Sequence, residues 1–437
     1  MKLLIKNGVI ITESDQYQAD IIVSGGRIHE IRKEAATSEL FDQVVEANGC
    51  YIFPGGIDPH VHMHLPSPAG FSSDDFFSGS HAALFGGTTT LIDFVTPCRG
   101  QSLTEALDRR LEEASSALTH CTFHISPIEW RDSTKDEISK CIDRGFKSFK
   151  VYMAYKQTVG LNDDHLLKVM QAVAQAGGLV VIHCEMGDEI EVLRNQYVAN
   201  GNTEPIYHAL SRPGHTESEA VKRAIELADQ ALCPLYIVHV SAKESLEHIR
   251  TAQQQGQRVY AETCPQYLLL DDRKYDGPFE QTAPYVLSPP LRKPADKEAL
   301  WQALSDGTIQ TVGTDHCPFM FSQKAVGRDD FRKIPNGVGG VEHRLALLFT
   351  YGVLQNRITL NQFIKLTSTN AATIFGLFPA KGNVSAGADA DLVIWNPVTQ
   401  CTISATSHHQ NCDTNIYAGI AVEGFPEYVI KDGQLVV

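Results

Sequence analysis

The strongest constraint on the fold is a regular alternation of short apolar segments and longer amphipathic ones through the middle of the chain. The amphipathic segments repeat apolar residues at intervals of three and four, as Leu166, Val169, Met170 and Val173 do, which is typical of helices with one buried face. The apolar segments are shorter and predict strands. Eight of them recur, at 57–62, 88–95, 121–127, 146–151, 179–183, 235–239, 258–263 and 309–314. Eight repeats of strand and helix predict an α/β fold, a (β/α)8 TIM-like barrel.

The helices predicted between these strands include 74–85, 103–117, 163–176, 218–231, 243–255 and 296–305. Residues 264–295 depart from the alternation because prolines punctuate them, among them Pro265, Pro284 and Pro289. Proline removes a backbone donor and restricts the preceding residue. We therefore predict a long connection without a helix in this stretch.

The residue pattern at the two ends of the chain differs from that of the centre. Short β-branched runs separated by glycine turns occur at 3–5, 9–11, 20–23, 391–395, 428–430 and 435–437. They predict that both ends meet in one small β-sandwich domain, formed by 1–53 and 380–437. The barrel would then occupy 54–379.

Composition limits the classes of partner. The chain of 437 residues carries a net charge of −15, which argues against nucleic acid as a ligand. No apolar run reaches the length of a membrane span, and the first residues lack a signal-peptide pattern. Ten scattered cysteines without a C-x-x-C motif indicate reduced thiols in a cytoplasmic protein.

Polar side chains close several of the predicted strands. His60 and His62 end the first strand, His183 and His239 end the fifth and sixth, and Asp315 follows the eighth. A single histidine there is usually a hydrogen-bonded core residue, because burying an unpaired polar group is costly. Four histidines and a carboxylate on one face of a barrel instead indicate metal ligands.

Lys150 lies in the fourth predicted strand, and two interpretations of its role are possible. An ammonium group beside a metal would repel it, whereas a lysine converted by carbon dioxide to a carbamate becomes an anion whose two oxygens can bridge two cations. The alternative is a salt bridge to Asp315 or another acid. The residues alone leave both open.

The set of His60, His62, Lys150, His183, His239 and Asp315 resembles the amidohydrolase superfamily, specifically its cyclic amidohydrolases. Longer strings are similar to the hydantoinase/dihydropyrimidinase branch, namely SFKVYMAY at 148–155, ETCPQY at 262–267, SPPLR at 288–292, GTDHCPF at 313–319, IPNG at 334–337 and GADADLVI at 387–394. The resemblance runs along essentially the whole chain.

The resemblance implies a binuclear site with two divalent ions per subunit, usually zinc. His60, His62 and Asp315 would hold one ion, His183 and His239 the other, and carboxylated Lys150 and a hydroxide would bridge them. The implied reaction is hydrolytic ring opening of cyclic amides, either 5-substituted hydantoins or dihydropyrimidines. Two metals supply a hydroxide near neutral pH and polarise the carbonyl.

The resemblance also implies roles for residues around the metals. Asp315 would carry the proton from the hydroxide to the leaving nitrogen, although a role as ligand alone fits the same position. Tyr155 would stabilise the oxyanion, its alternative being a core-packing tyrosine. The main chain at Ser288 and Asn336 would hold the cyclic amide.

The loop after the first strand bears on the substrate. Related dihydroorotases have an arginine there that binds a substrate carboxylate, and residues 63–68 contain none, which disfavours dihydroorotase. Leu65, Phe94 and Tyr152 predict an apolar rim for uncharged or aromatic 5-substituents, and family habit implies D stereochemistry. Allantoinase or another cyclic ureide hydrolase stays open, as does, more distantly, a non-enzymatic dihydropyrimidinase-related structural protein.

We expect a homo-oligomer, either a dimer or a tetramer. The chain stops at Val437, soon after the last predicted strand, whereas many relatives continue into a tail used in subunit contacts. This difference puts the usual tetramer in doubt and leaves a dimer plausible.

Overall fold

A computed structural model describes residues 2–33 and 40–437. Its twenty strands, numbered in chain order, are β1 Lys2–Lys6, β2 Val9–Ile11, β3 Gln16–Gln18, β4 Asp20–Ser24, β5 Arg27–Arg32, β6 Gln43–Glu46, β7 Tyr51–Pro54, β8 Gly56–Asp58, β9 Pro66–Ser67, β10 Gly70–Phe71, β11 Thr88–Val95, β12 His120–Ile125, β13 Ser148–Tyr152, β14 Leu179–His183, β15 Leu235–Ile237, β16 Val259–Thr263, β17 Thr311–Val312, β18 Leu392–Thr402, β19 Ala421–Lys431 and β20 Gln434–Leu435.

Fifteen α-helices accompany them in the described residues. They are α1 Phe76–Phe85, α2 Leu103–Glu113, α3 Thr134–Asp143, α4 Asp163–Gln175, α5 Gly187–Ala199, α6 Ile206–Leu210, α7 Gly214–Ala231, α8 Lys243–Gln254, α9 Pro265–Leu269, α10 Phe279–Thr282, α11 Pro294–Asp306, α12 Phe321–Lys324, α13 Arg344–Leu348, α14 Leu360–Ile364 and α15 Asn370–Ile374. None of these described helices combines the length and the apolar character that a membrane span needs.

The predicted barrel is confirmed. Eight strands form one parallel sheet in the order β17-β16-β15-β14-β13-β12-β11-β8. The edges β17 and β8 meet through residues just beyond them, because Val61 and His316 form a parallel bridge and the Asp315 N–H donates to the His60 carbonyl at 2.9 Å. The sheet is therefore a nearly closed barrel, whose strands end around one common mouth.

Two strands at this seam are shorter than predicted. The first ends at Asp58 rather than at residue 62, and the eighth covers only Thr311 and Val312 of the predicted 309–314. Asp58 explains part of this, since its carboxylate accepts from the backbone N–H groups of His60 and Thr314 at 3.2 and 3.1 Å. At the ends of these two strands, hydrogen bonds to the Asp58 side chain therefore replace the backbone hydrogen bonds of the sheet.

The prediction that 264–295 contains no helix is wrong. The stretch holds α9 and α10, together with short 3-10 turns at Asp272–Tyr275 and Ala283–Tyr285. Pro265 is the first residue of α9, a position where the missing proline N–H has no intrahelical partner to lose. The prolines therefore mark the starts of short helices as well as breaks.

Strands from both chain ends form two further sheets, a four-stranded one of order β5-β4-β1-β6 and a six-stranded one of order β20-β19-β18-β7-β2-β3. One apolar cluster lies between them, with Leu3 and Ile21 from the first sheet and Ile52, Leu392 and Ile430 from the second. This packing confirms the β-sandwich from both ends. The exact boundaries after residues 53 and 379 stay a prediction.

Candidate active site

A cavity of about 780 Å³ opens at the mouth of the barrel, where the strands run into their following loops. Every residue that the sequence predicted for the site lines this one cavity. These residues are His60, His62, Leu65, Phe94, Lys150, Tyr152, Tyr155, His183, His239, Ser288, Asp315 and Asn336. Their positions span most of the chain, so the barrel topology is what brings them together.

Three of the predicted ligands converge on one point. The Nε2 atoms of His60 and His62 are 3.2 Å apart, and Oδ1 of Asp315 lies 3.2 Å from the first and 3.1 Å from the second. Burial disfavours charge on His60, but Glu262 and Asp315 outweigh it and raise the pKa of His60 to about 9. Burial likewise raises the pKa of Asp315, and the two histidines hold it well below its ordinary value.

The donor set fits a metal cation. The Nδ1 proton of His60 is directed at Oε1 of Glu262, 2.7 Å away, so its Nε2 lone pair faces the His62 nitrogen and the Asp315 carboxylate. Such a contact between electron pairs is repulsive unless a proton or a cation lies among the three atoms. Two imidazoles and one carboxylate are ordinary ligands for zinc and similar divalent ions.

A second pair of histidines adjoins this cluster. Nδ1 of His183 lies 2.9 Å from Nε2 of His239, and the rings of His239 and His60 are 5.3 Å apart between centroids. The other ring nitrogen of His183 contacts Glu185 at 2.8 Å, and Arg212 binds the same carboxylate oxygen at 2.5 Å. Burial lowers the pKa of His183 despite Glu185, so the neutral form suited to metal binding is favoured.

Lys150 is buried beside both clusters, with Nζ 5.1 Å from the ring centroids of Phe94 and Tyr152. Across the residues that the structure describes, its Nζ forms no ion pair within 4.0 Å, so the alternative salt bridge is not present. Burial lowers the pKa of Lys150 to about 8, although Asp315 and Glu262 act in the opposite direction. A neutral amine is the form that adds carbon dioxide.

Three residues of the site have left-handed backbone conformations. The φ angles of His239, Asp315 and Tyr155 are 40°, 54° and 58°. Non-glycine residues adopt this region at a cost and concentrate there at functional sites. The turn at His239 follows directly after β15, which ends at Ile237, two residues earlier than predicted.

Tyr155 and two loop segments complete the wall around the clusters. The Tyr155 ring is half-buried, 5.4 Å from the His183 ring and 5.6 Å from the Arg212 guanidinium carbon. Within the described chain, no hydrogen bond engages the backbone N–H or C=O of Ser288 or Asn336. Both residues thus present free amide groups at the cavity wall.

The predicted rim residues lie at different depths. Phe94 is buried and stacks on His62 with centroids 4.5 Å apart, so it packs against the predicted ligands, whereas Leu65 and Tyr152 are half-buried. The cavity is also lined by Arg109 and Arg110 from α2. The sequence of the 63–68 loop does not predict these arginines. Arg110 is already paired with Asp93 at 2.6 Å.

The residues missed by sequence reasoning are the partners of the histidines. Glu262 is fully buried in β16, and an acid in an apolar strand is the same feature that identified the histidines. Glu185 follows His183 by two residues, and Arg212 lies in an irregular segment before α7. Nothing in its local pattern identifies Arg212.

One other group of potential ligands occurs in the described residues. His120 Nε2 lies 3.3 Å from Asp391 Oδ2 and 3.1 Å from Asp432 Oδ1. Lys381 Nζ already binds the same Asp391 oxygen at 2.5 Å. This group is therefore an ion-pair network that joins barrel and β-sandwich.

Known proteins resemble this chain along its whole length. Residues 51–436 match the Amidohydrolase family. The D-hydantoinase of Geobacillus stearothermophilus is 45% identical over 440 residues, which cover 100% of this chain and 93% of that protein.

Solved structures agree with the sequence comparison. The crystal structure of dihydropyrimidinase from Brevibacillus agri NCHU1002 matches with a TM-score of 0.98 at 43% identity, covering 100% of this chain and 95% of that one. The L-hydantoinase (dihydropyrimidinase) from Arthrobacter aurescens matches with a TM-score of 0.91 at 28% identity, covering 100% and 96%. The resemblance inferred from the motifs is confirmed, and the chain belongs to the amidohydrolase family, in its hydantoinase and dihydropyrimidinase branch.

Proposed function

We propose that this protein opens the rings of 5-substituted hydantoins or dihydropyrimidines by metal-dependent hydrolysis of a ring amide. The observation that carries the proposal is the convergence of His60, His62 and Asp315 within 3.2 Å of one another. The adjoining pair of His183 and His239 supplies ligands for a second ion. Amidohydrolases depend on metals, and relatives along the whole chain bear hydantoinase or dihydropyrimidinase names.

The metals that fit these residues are two divalent cations, with zinc the best match to histidine and carboxylate ligands. Bound there, they would lower the pKa of water and polarise the carbonyl of the ring amide. Carboxylated Lys150 is the anion that completes the two ligand sets. Its burial beside the clusters, and the absence of an ion pair to its amine among the described residues, support this assignment.

The remaining roles belong to the chain itself. Asp315, whose carboxylate faces the cavity, would accept the proton of the attacking water and return it to the leaving nitrogen. Tyr155, held near His183 by its left-handed backbone, would donate to the oxygen on which negative charge develops.

The substrate ring would bind to main-chain groups. The free N–H and C=O groups of Ser288 and Asn336 match the acceptors and donors of a cyclic amide. The apolar side chains of Leu65 and Tyr152 face the position for an uncharged 5-substituent. The D preference rests on the D-hydantoinase, which at 45% identity is far more similar than the L-hydantoinase at 28%.

A turnover panel tests the proposal. The rings to compare are dihydrouracil, the two enantiomers of a 5-phenyl and a 5-methyl hydantoin, allantoin and dihydroorotate. We expect ring opening of the hydantoins, faster for the D form, and of dihydrouracil, with little or none of dihydroorotate. Exclusive turnover of allantoin would instead establish the allantoinase alternative. No turnover with metals added would favour the non-enzymatic one.

Two further parts of the proposal concern the whole protein. We expect a homo-oligomer, either a dimer or a tetramer, which light scattering on the eluting protein would measure. We also expect it in the cytoplasm, since its ten cysteines are all free thiols and most are buried.

A further inference from the structure

A buried lysine outside the metal clusters lies next to the substrate-binding loops. Lys324, the last residue of α12, is 1% exposed. Its Nζ donates to the carbonyl oxygens of Val286, Pro335 and Gly337 at 2.8, 2.9 and 2.7 Å. An ammonium group has three N–H donors, and these three carbonyls accept all of them.

The three carbonyls belong to the two loops that carry the free amide groups. Val286 precedes Ser288 by two residues, and Pro335 and Gly337 lie on either side of Asn336. The loops also contact each other directly, since the Gly337 N–H donates to the same Val286 oxygen at 3.1 Å. The Lys324 amine is therefore a side-chain link between the loops.

The carbonyls next to Ser288 are occupied in the same way. His208 Nε2 donates to the Leu287 oxygen at 2.8 Å, and the Tyr267 hydroxyl donates to the Pro289 oxygen at 2.7 Å. Protein donors therefore occupy the neighbouring carbonyls on both loops. The oxygens of Ser288 and Asn336 stay free within the described chain.

We propose that Lys324 is a positioning residue that sets the spacing between the Ser288 and Asn336 main-chain groups and thereby the affinity for the cyclic amide. The inference rests on the proposed function, because it concerns the ring held by those two residues. Lys324 does not reach the reacting atoms. Its effect would pass through the loops to the bound ring.

Packing alone does not explain a lysine at this position. No carboxylate pairs with Nζ within 4.0 Å among the described residues, and a buried charge without such a partner is costly. Burial lowers the pKa of Lys324 to about 7, partly opposed by the thiols of Cys317 and Cys412. An apolar side chain of similar length would fill the space without this cost. An apolar side chain could not, however, donate the three hydrogen bonds to the loop carbonyls.

The test compares Lys324→Met with the wild type on D-5-phenylhydantoin and dihydrouracil. Methionine keeps the unbranched stem and removes every donor, which leaves the Pro335 and Gly337 carbonyls unpaired and the Val286 carbonyl with only the Gly337 N–H. We expect KM to rise by about tenfold or more, because displaced main-chain groups of Ser288 or Asn336 would lose hydrogen bonds to the ring, each worth about a factor of ten. We expect kcat to stay within about threefold and two metal ions per subunit to be retained. An unchanged KM in folded, metal-loaded Lys324→Met would overturn the inference.

Two further variants separate positioning from general stability. Lys297→Met removes another lysine that binds the same long connection, at Leu269 and Asp271, away from the cavity, and should leave KM unchanged. Lys324→Gln retains two N–H donors and should show an intermediate KM, which decides the question if Lys324→Met does not fold. A wild-type protein that opens none of the cyclic substrates in the turnover panel would overturn the proposed function. An active wild-type protein, together with an unaltered KM in both Lys324 variants, would overturn this inference alone.

Discussion

Nδ1 of His60 lies 2.7 Å from Oε1 of Glu262, a residue 202 positions later in the chain. The second carboxylate oxygen accepts from the Tyr236 hydroxyl at 2.8 Å, and Oε1 also accepts from the His239 N–H at 3.2 Å. This contact fixes the tautomer of His60 and directs its Nε2 lone pair at Asp315 and His62. A single buried glutamate thus touches a histidine from each predicted metal position.

Glu262→Gln should weaken metal binding. The amide is isosteric but can donate to His60 and favour the wrong tautomer, and it lacks the charge that supports a cation. We expect metal affinity and kcat/KM to fall by about 10-fold to 100-fold, measured by metal analysis after dialysis and by initial rates. Glu247→Gln, on the exposed face of α8, is the matched control. Full metal content in Glu262→Gln would contradict the orienting role.

Lys150→Ala should abolish ring opening, because it removes the anion assigned between the two ligand sets. Acetate or propionate, added at high concentration, should restore part of the rate by entering the space left by the side chain. Lys147→Ala, an exposed lysine three residues earlier, should retain full activity. The carbamate assignment fails if Lys150→Ala keeps a rate near that of the wild type.

Tyr155→Phe removes only the hydroxyl that we assign to the developing oxyanion. We expect kcat to fall by about a hundredfold, a loss typical of one oxyanion donor, while metal content stays unchanged. Tyr351→Phe is the control, since that hydroxyl binds the Ala421 carbonyl at 3.0 Å, outside the cavity lining. An equal kcat in Tyr155→Phe and wild type would mean that Tyr155 acts through packing.

Much of this site could be predicted from the sequence because barrel topology converts strand ends into spatial neighbours. His183 and Asp315 are far apart in the chain, but the first ends a strand and the second follows one, and parallel strands in a barrel end at one mouth. The same reasoning did not reveal Glu262, which sits within β16 rather than at its end. Its contact with His60 depends on the radial packing of side chains inside the barrel.

Other features of the structure depend on three-dimensional contacts that a local sequence pattern does not predict. The left-handed backbone at His239 and Asp315 departs from strand geometry, and both adjoining strands end before the apolar runs that predict them. Lys324 looks like an ordinary helix-end lysine in the sequence, and only the fold places it under two loops. The sequence pattern does not reveal the short helix α9, because a proline can either break a helix or, as Pro265 does, begin one.

The junction between barrel and β-sandwich should show a defined pH dependence. Burial raises the pKa of Asp391, but His120 and Lys381 overcome this and hold it at about 2, below its ordinary value of 3.8. A depressed pKa stabilises the fold above the unfolded-state pKa, and the contribution disappears as pH falls from about 4 to about 2.

We therefore expect Asp391→Asn to lower the free energy of unfolding by about 2 kcal/mol at pH 7. The difference from the wild type should shrink below about pH 4, as measured by urea unfolding at pH 7, 5, 4 and 3. The exposed Asp108→Asn provides the control. A difference that grows as the solution becomes more acidic would have the wrong sign for this pair.

We propose that the two histidine clusters hold the divalent ions that ring opening requires. The most direct measurement removes metal from the wild type with a chelator and then titrates zinc back, following bound zinc and D-5-phenylhydantoin turnover in the same samples. We expect loss of activity on removal and recovery that saturates at two ions per subunit. Turnover that persists without metal, or zinc that binds without restoring turnover while manganese and iron also fail, would contradict it.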